Sequence, residues 1–262
     1  MATTTYTPSM LRGAGTRGVP EIPVGSSFSN TKSILFDGTD DYILTSPTYS
    51  ALDSSADWAY SFWIKFSDLA SNQNIFGISN GAGGGSAFVQ CYWNAATSRL
   101  QMYFDGLSYY CRTDEALWTP VTGTWYHVLV TRDGTQPIGS KVTWWIDGDD
   151  CSLNESMTAL PSTTATSGIY IGDNDGLSYS PVDGNIDEFA VYTQDMGAYK
   201  DEIYNSGIPD DLNNLATAPS PNVWYRMGDK VTSWPTIPDQ VGSNNGTAYN
   251  ENEATMVVSD VP

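Results

Sequence analysis

Apolar residues along this chain recur mostly at every second position, in short runs broken by Gly, Asp, Asn and Ser. In Tyr60–Phe66, Phe62, Ile64 and Phe66 fall on one face and Ser61, Trp63 and Lys65 on the other, which is the period of a pleated strand. Further strands are expected at Ser33–Asp37, Tyr42–Thr45, Asn74–Ser79, Ala87–Trp93, Arg99–Phe104, Leu107–Arg112, Trp125–Arg132, Lys141–Ile146 and Gly168–Gly172. Asp105-Gly106 is a two-residue hairpin signal, and Asp133-Gly134 and Asp147-Gly148 mark further turns. The stretch around which the chain is organised is GNIDEFAVY (184–192), a turn and a strand whose apolar residues Ile186, Phe189 and Val191 nearly alternate. Two carboxylates, Asp187 and Glu188, interrupt it. Inside a strand they must be solvated, hydrogen-bonded or bound to a cation, because burying them bare is costly. A helical pattern is confined to Asp195–Ser206, with Gly207 placed to end it and Pro209 beyond. Late strands are expected at Asn222–Met227 and Thr255–Val258, on either side of the turn-rich stretch 238–249.

Three segments follow from this pattern. Residues 1–31 are rich in Thr, Gly, Pro and Ser and set Arg12 and Arg17 against a single acid, Glu21. They read as an extended arm without a core of its own, either a loose tail or a docking arm that lies on a neighbouring subunit through Arg12 and Arg17. Residues 32–210 hold the main run of strands, and residues 211–262 form an extension that packs on them. The acidic turn at Asp37–Asp41 and the acids at 187–188 lie far apart in sequence, each beside a strand.

Seven pieces carry a resemblance when taken in order: FDGTDDYI (36–43), YSFWIKF (60–66), GTWYHVLVTRDG (123–134), VTWWIDG (142–148), IYIGDNDG (169–176), GNIDEFAVY (184–192) and DEIYNSG (201–207). Together they resemble the laminin-G-like, concanavalin A-like lectin/glucanase jelly rolls over residues 32–210. The resemblance implies an all-β fold, a two-sheet antiparallel jelly-roll sandwich with an extended N-terminal arm and one short helix. It also implies a structural calcium bridging the early Asp-Gly turn and the late Ile-Asp-Glu strand. Carried over, the metal candidates are Asp37, Asp41 and Asp187, with Asp40 as the alternative to Asp41. Calcium takes about six to eight oxygen ligands, so carbonyls and water would complete the shell. The same acids could instead cap turns. Asp173-Asn174-Asp175-Gly176 lacks the full spacing of a calcium loop and reads as a turn. The related glucanases carry their acids as E-x-D-x-x-E, and this chain has Asn185 and Ala190 where the two Glu would stand. No catalytic residue is assigned, because cleavage needs a carboxylate on each side of the scissile bond. The sole histidine, His127, lies where the family pattern also has one and is expected to pack.

Composition narrows the function. With 11 Lys and Arg against 30 Asp and Glu, the net charge is −19, which excludes nucleic acid as a partner. The charge either draws divalent cations to the loops or keeps an aromatic-rich surface soluble. No run is long enough for a transmembrane helix, and no membrane partner is expected. Cys91, Cys111 and Cys151 are odd in number and lack CxxC spacing, and a strand separates the first two, so thiols in a reducing compartment are expected. The N-terminal MATTTYTPSMLRG has no apolar core of a signal peptide, so assembly in a host cytoplasm is expected. Sugar sites combine aromatic faces with hydrogen-bonding side chains. The candidates for such a site are Trp93, Asn94, Tyr109, Tyr110, Trp118 and Tyr179, each of which could instead pack the sandwich or a subunit contact. The segment RMGD…DQVGSNNGTAYN (226–250) is similar to C-terminal extensions in phage structural proteins. The expectation is therefore a non-enzymatic bacteriophage virion protein, a capsid decoration, fibre or tail component. It would be a homo-oligomer, docked to other virion proteins through its arm and displaying a lectin-like domain for host-surface glycan attachment. The alternatives are a bacterial extracellular carbohydrate-binding module and, third, a diverged glycoside hydrolase.

Overall fold

The structure is a computed structural model that describes residues 28–45, 56–79, 87–104, 109–136, 142–153, 168–174 and 180–262. Its strands form two antiparallel eight-stranded sheets packed face to face. The first sheet runs β10 (Asp149–Asp150), β9 (Val142–Ile146), β8 (Trp125–Arg132), β3 (Trp58–Phe66), β12 (Asp183–Tyr192), β1 (Ser33–Asp37), β16 (Val257–Val258), and β13 (Val223–Tyr225) also pairs with β12. The second runs β14 (Thr236–Ile237), β15 (Gly246–Tyr249), β2 (Tyr42–Thr45), β11 (Ile169–Ile171), β4 (Gln73–Ser79), β5 (Ala87–Asn94), β6 (Arg99–Phe104), β7 (Tyr109–Arg112). This is the two-sheet antiparallel sandwich that the resemblance implies, built from strands that the alternating pattern predicts.

Alternation puts one side of each strand into the space between the sheets. Phe62, Ile64 and Phe66 of β3 meet Ile186, Phe189 and Val191 of β12 and, from the other sheet, Phe76 and Ile78 of β4. Tyr60 stacks on Phe76 at 4.7 Å and Phe62 on Phe189 at 5.8 Å, so the middle of the core is a block of rings. Each such side chain contributes about 1.5–3 kcal/mol when fully buried.

The outer face of the first sheet is covered as well. Segment 193–220 crosses it and builds a second, smaller core from Ala59, Leu129, Ala190, Tyr192, Met196, Ile203, Leu212 and Trp224. That cover includes α1 (Lys200–Tyr204), shorter than the helical pattern over 195–206. Asn205, Ser206 and Gly207 take φ values of 47°, 56° and 92°, and three left-handed residues in a row cannot continue a right-handed helix. One further helical turn, α2 (Glu253–Met256), is capped by Asn252, whose side chain accepts from the Ala254 N–H.

Residues 211–262 are part of the sandwich itself. They supply β13 and β16 to the first sheet and β14 and β15 to the second. Of the expected arm, residues 28–31 are bound to this extension: the Thr31 backbone N–H and hydroxyl both donate to Asp229, at 2.9 and 2.7 Å. Residues 1–27, with Arg12 and Arg17, lie outside the described residues. No disulfide joins Cys91, Cys111 or Cys151. Cys91 and Cys111 both pair with Met102 of the intervening β6, one strand too far apart for a bond. No helix among the described residues is long and apolar enough to cross a membrane.

Candidate functional site

The interruption at Asp187–Glu188 is a β-bulge. Against β3, Trp63 pairs with Asp187 and Ser61 with Ala190, so two residues of β12 oppose one of β3. Glu188 takes φ 49°, a left-handed conformation uncommon for a non-glycine residue. The bulge also changes the partner of β12: β1 pairs with 183–186 and β13 with 189–191. Both acids are buried, Asp187 at 0% and Glu188 at 3% exposure. The Asp187 carboxylate accepts from Asn30 Nδ2 at 2.8 Å and from the Glu188 backbone N–H at 2.9 Å. Glu188 accepts from Trp224 Nε1 at 2.6 Å and Arg226 Nε at 3.1 Å. Arg226 also donates to the Ser29 carbonyl at 2.8 Å and to Asp229 at 3.1 Å, with its guanidinium 4.1 Å from the Phe28 ring centre. Burial pushes Glu188 up to about 7 against the pull of Arg226 and Trp224, and burial followed by repulsion from Glu188 raises Asp187 well above the carboxylate range. These acids tie residues 28–30 to residues 224–229, and Glu188 also lines a small hollow of about 10 Å3 with Ser61, Trp63 and His127.

His127 is packed, as expected. It is 1% exposed, Ser61 Oγ lies 2.9 Å from its Nε2, and Trp63 and Tyr204 lie against its ring. Burial lowers it to about 3, so it is neutral.

The metal candidates divide. Gly38, at φ 77°, turns the chain sharply after Asp37, and Asp37, Asp40 and Asp41 come together with carboxylate oxygens within 4.8 Å of one another. Asp41 is 1% exposed. Its Oδ2 accepts from the Asp37 N–H at 3.2 Å, while its Oδ1 is buried with no hydrogen-bond partner among the described residues. Burial raises Asp41 to about 7. A buried carboxylate oxygen that lacks a partner, beside two further carboxylates, is a donor set that suits a hard cation such as calcium. The expected bridge to Asp187 is not there. Asp37 pairs with Asp183, and Asp187 lies four residues further on, about 13 Å at about 3.3 Å per residue.

Of the sugar-site candidates, Trp93 and Trp118 belong to the core, at 2% and 8% exposure, with their rings 6.4 Å apart. The alternation of β5 explains Trp93: it shares the inward face with Val89 and Cys91. Asn94 ends β5, and its carbonyl and side chain accept from the Thr97 N–H, closing the turn to β6. Tyr179 and the side chain of Tyr109 lie outside the described residues. Tyr110 stands on a solvent-facing surface, 39% exposed.

That surface is the outer face of β5–β6–β7. Strand register arranges it in two rows, Gln90–Tyr103–Tyr110 and Tyr92–Gln101–Arg112. The rings meet edge to face, Tyr92 to Tyr103 at 5.9 Å and Tyr103 to Tyr110 at 5.8 Å, and the Arg112 guanidinium lies 4.7 Å from the Tyr110 ring centre. The amides are held in place: Gln90 donates to Asn74, Gln101 Nε2 donates to Thr97 at 3.1 Å, and the Tyr103 hydroxyl donates to Gln101. Gln90 and Gln101 are buried, at 8% and 1% exposure, and brace the row, while the tyrosine rings, exposed at Tyr110 and half-buried at Tyr92 and Tyr103, and the Arg112 guanidinium are the groups it presents to a hydroxyl-rich ligand.

A family model described as the concanavalin A-like lectin/glucanases superfamily matches residues 37–199. No curated protein matches the sequence. Among solved structures, a protein of Bacteroides ovatus to which carbohydrate binding is ascribed is similar with a TM-score of 0.61 at 19% identity, covering 85% of this chain. This chain spans only 59% of that protein's length. A heptameric pentraxin of Limulus polyphemus has a TM-score of 0.53 at 14% identity, over 83% of this chain and 95% of its own. The carbohydrate-binding module of a Ruminococcus gnavus sialidase, bound to sialyllactose, has 0.51 at 15%, over 68% of this chain and 98% of its own. Likeness at such identities is likeness of fold. The family model covers more than half of the chain, and with the sandwich that carries it, the chain belongs to the concanavalin A-like lectin/glucanases superfamily.

Proposed function

We propose that this chain is a non-enzymatic, lectin-like virion protein of a bacteriophage that binds glycans through the tyrosine face of β5–β7. The observation that carries glycan binding is the ordered double row of Tyr92, Tyr103 and Tyr110 with Gln90, Gln101 and Arg112, in which Tyr110 is exposed, Tyr92, Tyr103 and Arg112 are half-buried, and the buried amides of Gln90 and Gln101 brace the row. The neighbours to which carbohydrate binding is ascribed support the same class. Binding without cleavage is supported by the acids themselves. Asn185 and Ala190 replace the glucanase glutamates, and Asp187 and Glu188 are buried and bonded, so no carboxylate pair from this strand can flank a glycosidic bond. The virion role, as a decoration, fibre or tail component, is supported by the basic arm residues Arg12 and Arg17 on a chain of net charge −19 and by the phage-like segment 226–250. The arm would dock on other virion proteins, and display in many copies would turn weak single-site affinity into avidity. A calcium ion held by Asp37, Asp40 and Asp41 would offset three carboxylates and fix the turn between β1 and β2.

Two measurements test this. Labelled protein is applied to a glycan array, with Tyr103→Ala and Tyr110→Ala beside it. Binding that both substitutions weaken supports the tyrosine face, and binding unchanged in both refutes it. Chains lacking residues 1–27 are then expressed during infection. Exclusion of the truncated chain from purified particles supports the docking arm, and normal incorporation overturns it. A second reading, a bacterial extracellular carbohydrate-binding module, draws on the likeness to the sialidase module. It requires the same glycan binding by a chain that is absent from particles.

A further inference from the structure

Across the sandwich from the tyrosine face lies a solvent-open hollow of about 230 Å3, lined by Phe28, Asp211, Asn213, Trp224, Arg226, Lys230 and Gln240. Every one of these residues is outside the matched span 37–199, so the hollow is built by segments that the family model does not cover. We infer that it is a second carbohydrate site and takes one neutral pyranose ring. The inference rests on the glycan-binding reading and adds a site and a ligand class to it.

The walls are preorganised. Asn213 Nδ2 donates to the Gln240 carbonyl at 3.0 Å, Gln240 Nε2 donates to the Pro238 carbonyl at 3.0 Å, and the Gln240 N–H donates to the Trp224 carbonyl at 2.8 Å. Both amides are anchored through nitrogen, and among the described residues their oxygens take no hydrogen bond, which leaves them to accept from ligand hydroxyls. Asp211 is fixed in the same way, accepting from the Asn213 N–H at 3.1 Å and Asn214 Nδ2 at 2.8 Å. Phe28 supplies the apolar side, backed by the buried Trp224 ring, with ring centres 6.1 Å apart and planes 17° apart. Polar groups held before the ligand arrives lose little freedom on binding.

Size and charge select the ligand. The hollow is smaller than the roughly 300 Å3 at which pockets for drug-sized molecules begin, so it suits one ring of a chain and not several. The Arg226 charge is already met by Glu188 and Asp229, and the Lys230 ammonium shares the lining with the Asp211 carboxylate. On a chain of net charge −19, this leaves no excess of positive charge to hold an acidic sugar. The site therefore discriminates against sialic acid and accepts a hexose or N-acetylhexosamine.

The full chain is titrated with methyl α-glucoside, methyl β-galactoside, N-acetylglucosamine and 3′-sialyllactose, followed by the side-chain amide and indole resonances in NMR. The expected result is that at least one neutral sugar shifts the Asn213 and Gln240 amides and the Trp224 indole. Gln240→Ala should weaken that sugar about fivefold or more, the loss of one hydrogen bond. Lys230→Ala, at an exposed position, should weaken the same sugar, with a melting temperature measured beside it because Lys230 holds φ 66°. The same titration on Tyr103→Ala separates the two faces. If sugars shift only tyrosine-face resonances, or if sialyllactose is the ligand that shifts the hollow, this inference is overturned while glycan binding stands. If no sugar shifts either face, both fall.

Discussion

Replacing Arg226 by Met tests the clamp that joins the start of the described chain to its end. The guanidinium is buried and meets Glu188 at 3.1 Å, Asp229 at 3.1 Å and the Ser29 carbonyl at 2.8 Å. Methionine keeps apolar contact with Phe28 and removes every polar one. Glu188 then keeps Trp224 Nε1 as its remaining donor. Breaking a buried ion pair from one side costs about 3–5 kcal/mol, and at about 2–4 °C per kcal/mol in a chain of this size the melting temperature should fall by roughly 6–20 °C. The loss depends on pH. Glu188 stands near 7 only with Arg226 pulling it down, so in the variant it rises further; at pH 5.5 both chains hold the proton and the cost is small, whereas towards pH 8 the wild-type chain gains the ion pair and the variant holds either a proton or a stranded charge. Calorimetry at both values reads this directly. Adding Glu188→Gln to Arg226→Met removes the stranded charge and should recover part of the loss at pH 8, giving a coupling energy from the cycle. A drop of less than about 1 kcal/mol, or one equal at both pH values, would show that Glu188 is solvated and that the clamp does not exist.

In the wild-type chain, the folded state holds protons on Glu188 and Asp187 that the unfolded chain releases, because burial raises both above their ordinary values. Stability should therefore fall as pH rises from about 4.5 to about 7, and a melting temperature that rises over this window in the presence of chelator would contradict it. Calcium should raise the melting temperature, and Asp41→Asn should abolish the increment. An equal loss with calcium and with EDTA would instead mark Asp41 as a turn-capping residue. Trp93→Ala should cost about 3–5 kcal/mol by leaving a cavity, while Tyr110→Ala, at 39% exposure, should cost under about 1 kcal/mol. A Trp93→Ala chain as stable as Tyr110→Ala would put Trp93 outside the core.

The strands were legible because their inward residues are bulky and alternate. Ser33–Asp37, Tyr42–Thr45, Arg99–Phe104 and Trp125–Arg132 fall where the pattern puts them. The tyrosine face was legible in principle from the same period. Gln90, Tyr92 and Asn94 alternate with Val89, Cys91 and Trp93, and Gln101 and Tyr103 with Leu100, Met102 and Phe104. Choosing aromatics by type put Trp93 and Trp118 among the sugar ligands. Choosing them by parity would have selected Tyr92 and Tyr103. The acid trio at 37–41 was readable because a turn brings close neighbours together. Asp187 was misplaced because strand register, which sets it four residues past the partner of Asp37, is not written locally. The Arg226–Glu188 pair spans 38 positions and left one trace in the sequence, an arginine at the end of the apolar run NVWYR (222–226) in a chain with only 11 basic residues.

The extension closes both sheets, and this sets an order of events during synthesis. Ser33 pairs with Val258 and Ile34 with Val257, while Tyr42–Thr45 pairs with Gly246–Tyr249. These two strands thus receive their outer neighbours from segments made about 200 residues later. Until residue 249 has emerged for β2, and residue 258 for β1, each strand exposes a row of unpaired backbone groups, the kind of edge that recruits another chain. Contacts of such long sequence separation form slowly. The nascent protein spends that interval with its two open edges available to neighbours, so a chaperone, or a partner subunit already in place, would act on the unfinished sandwich before it could act on the finished one.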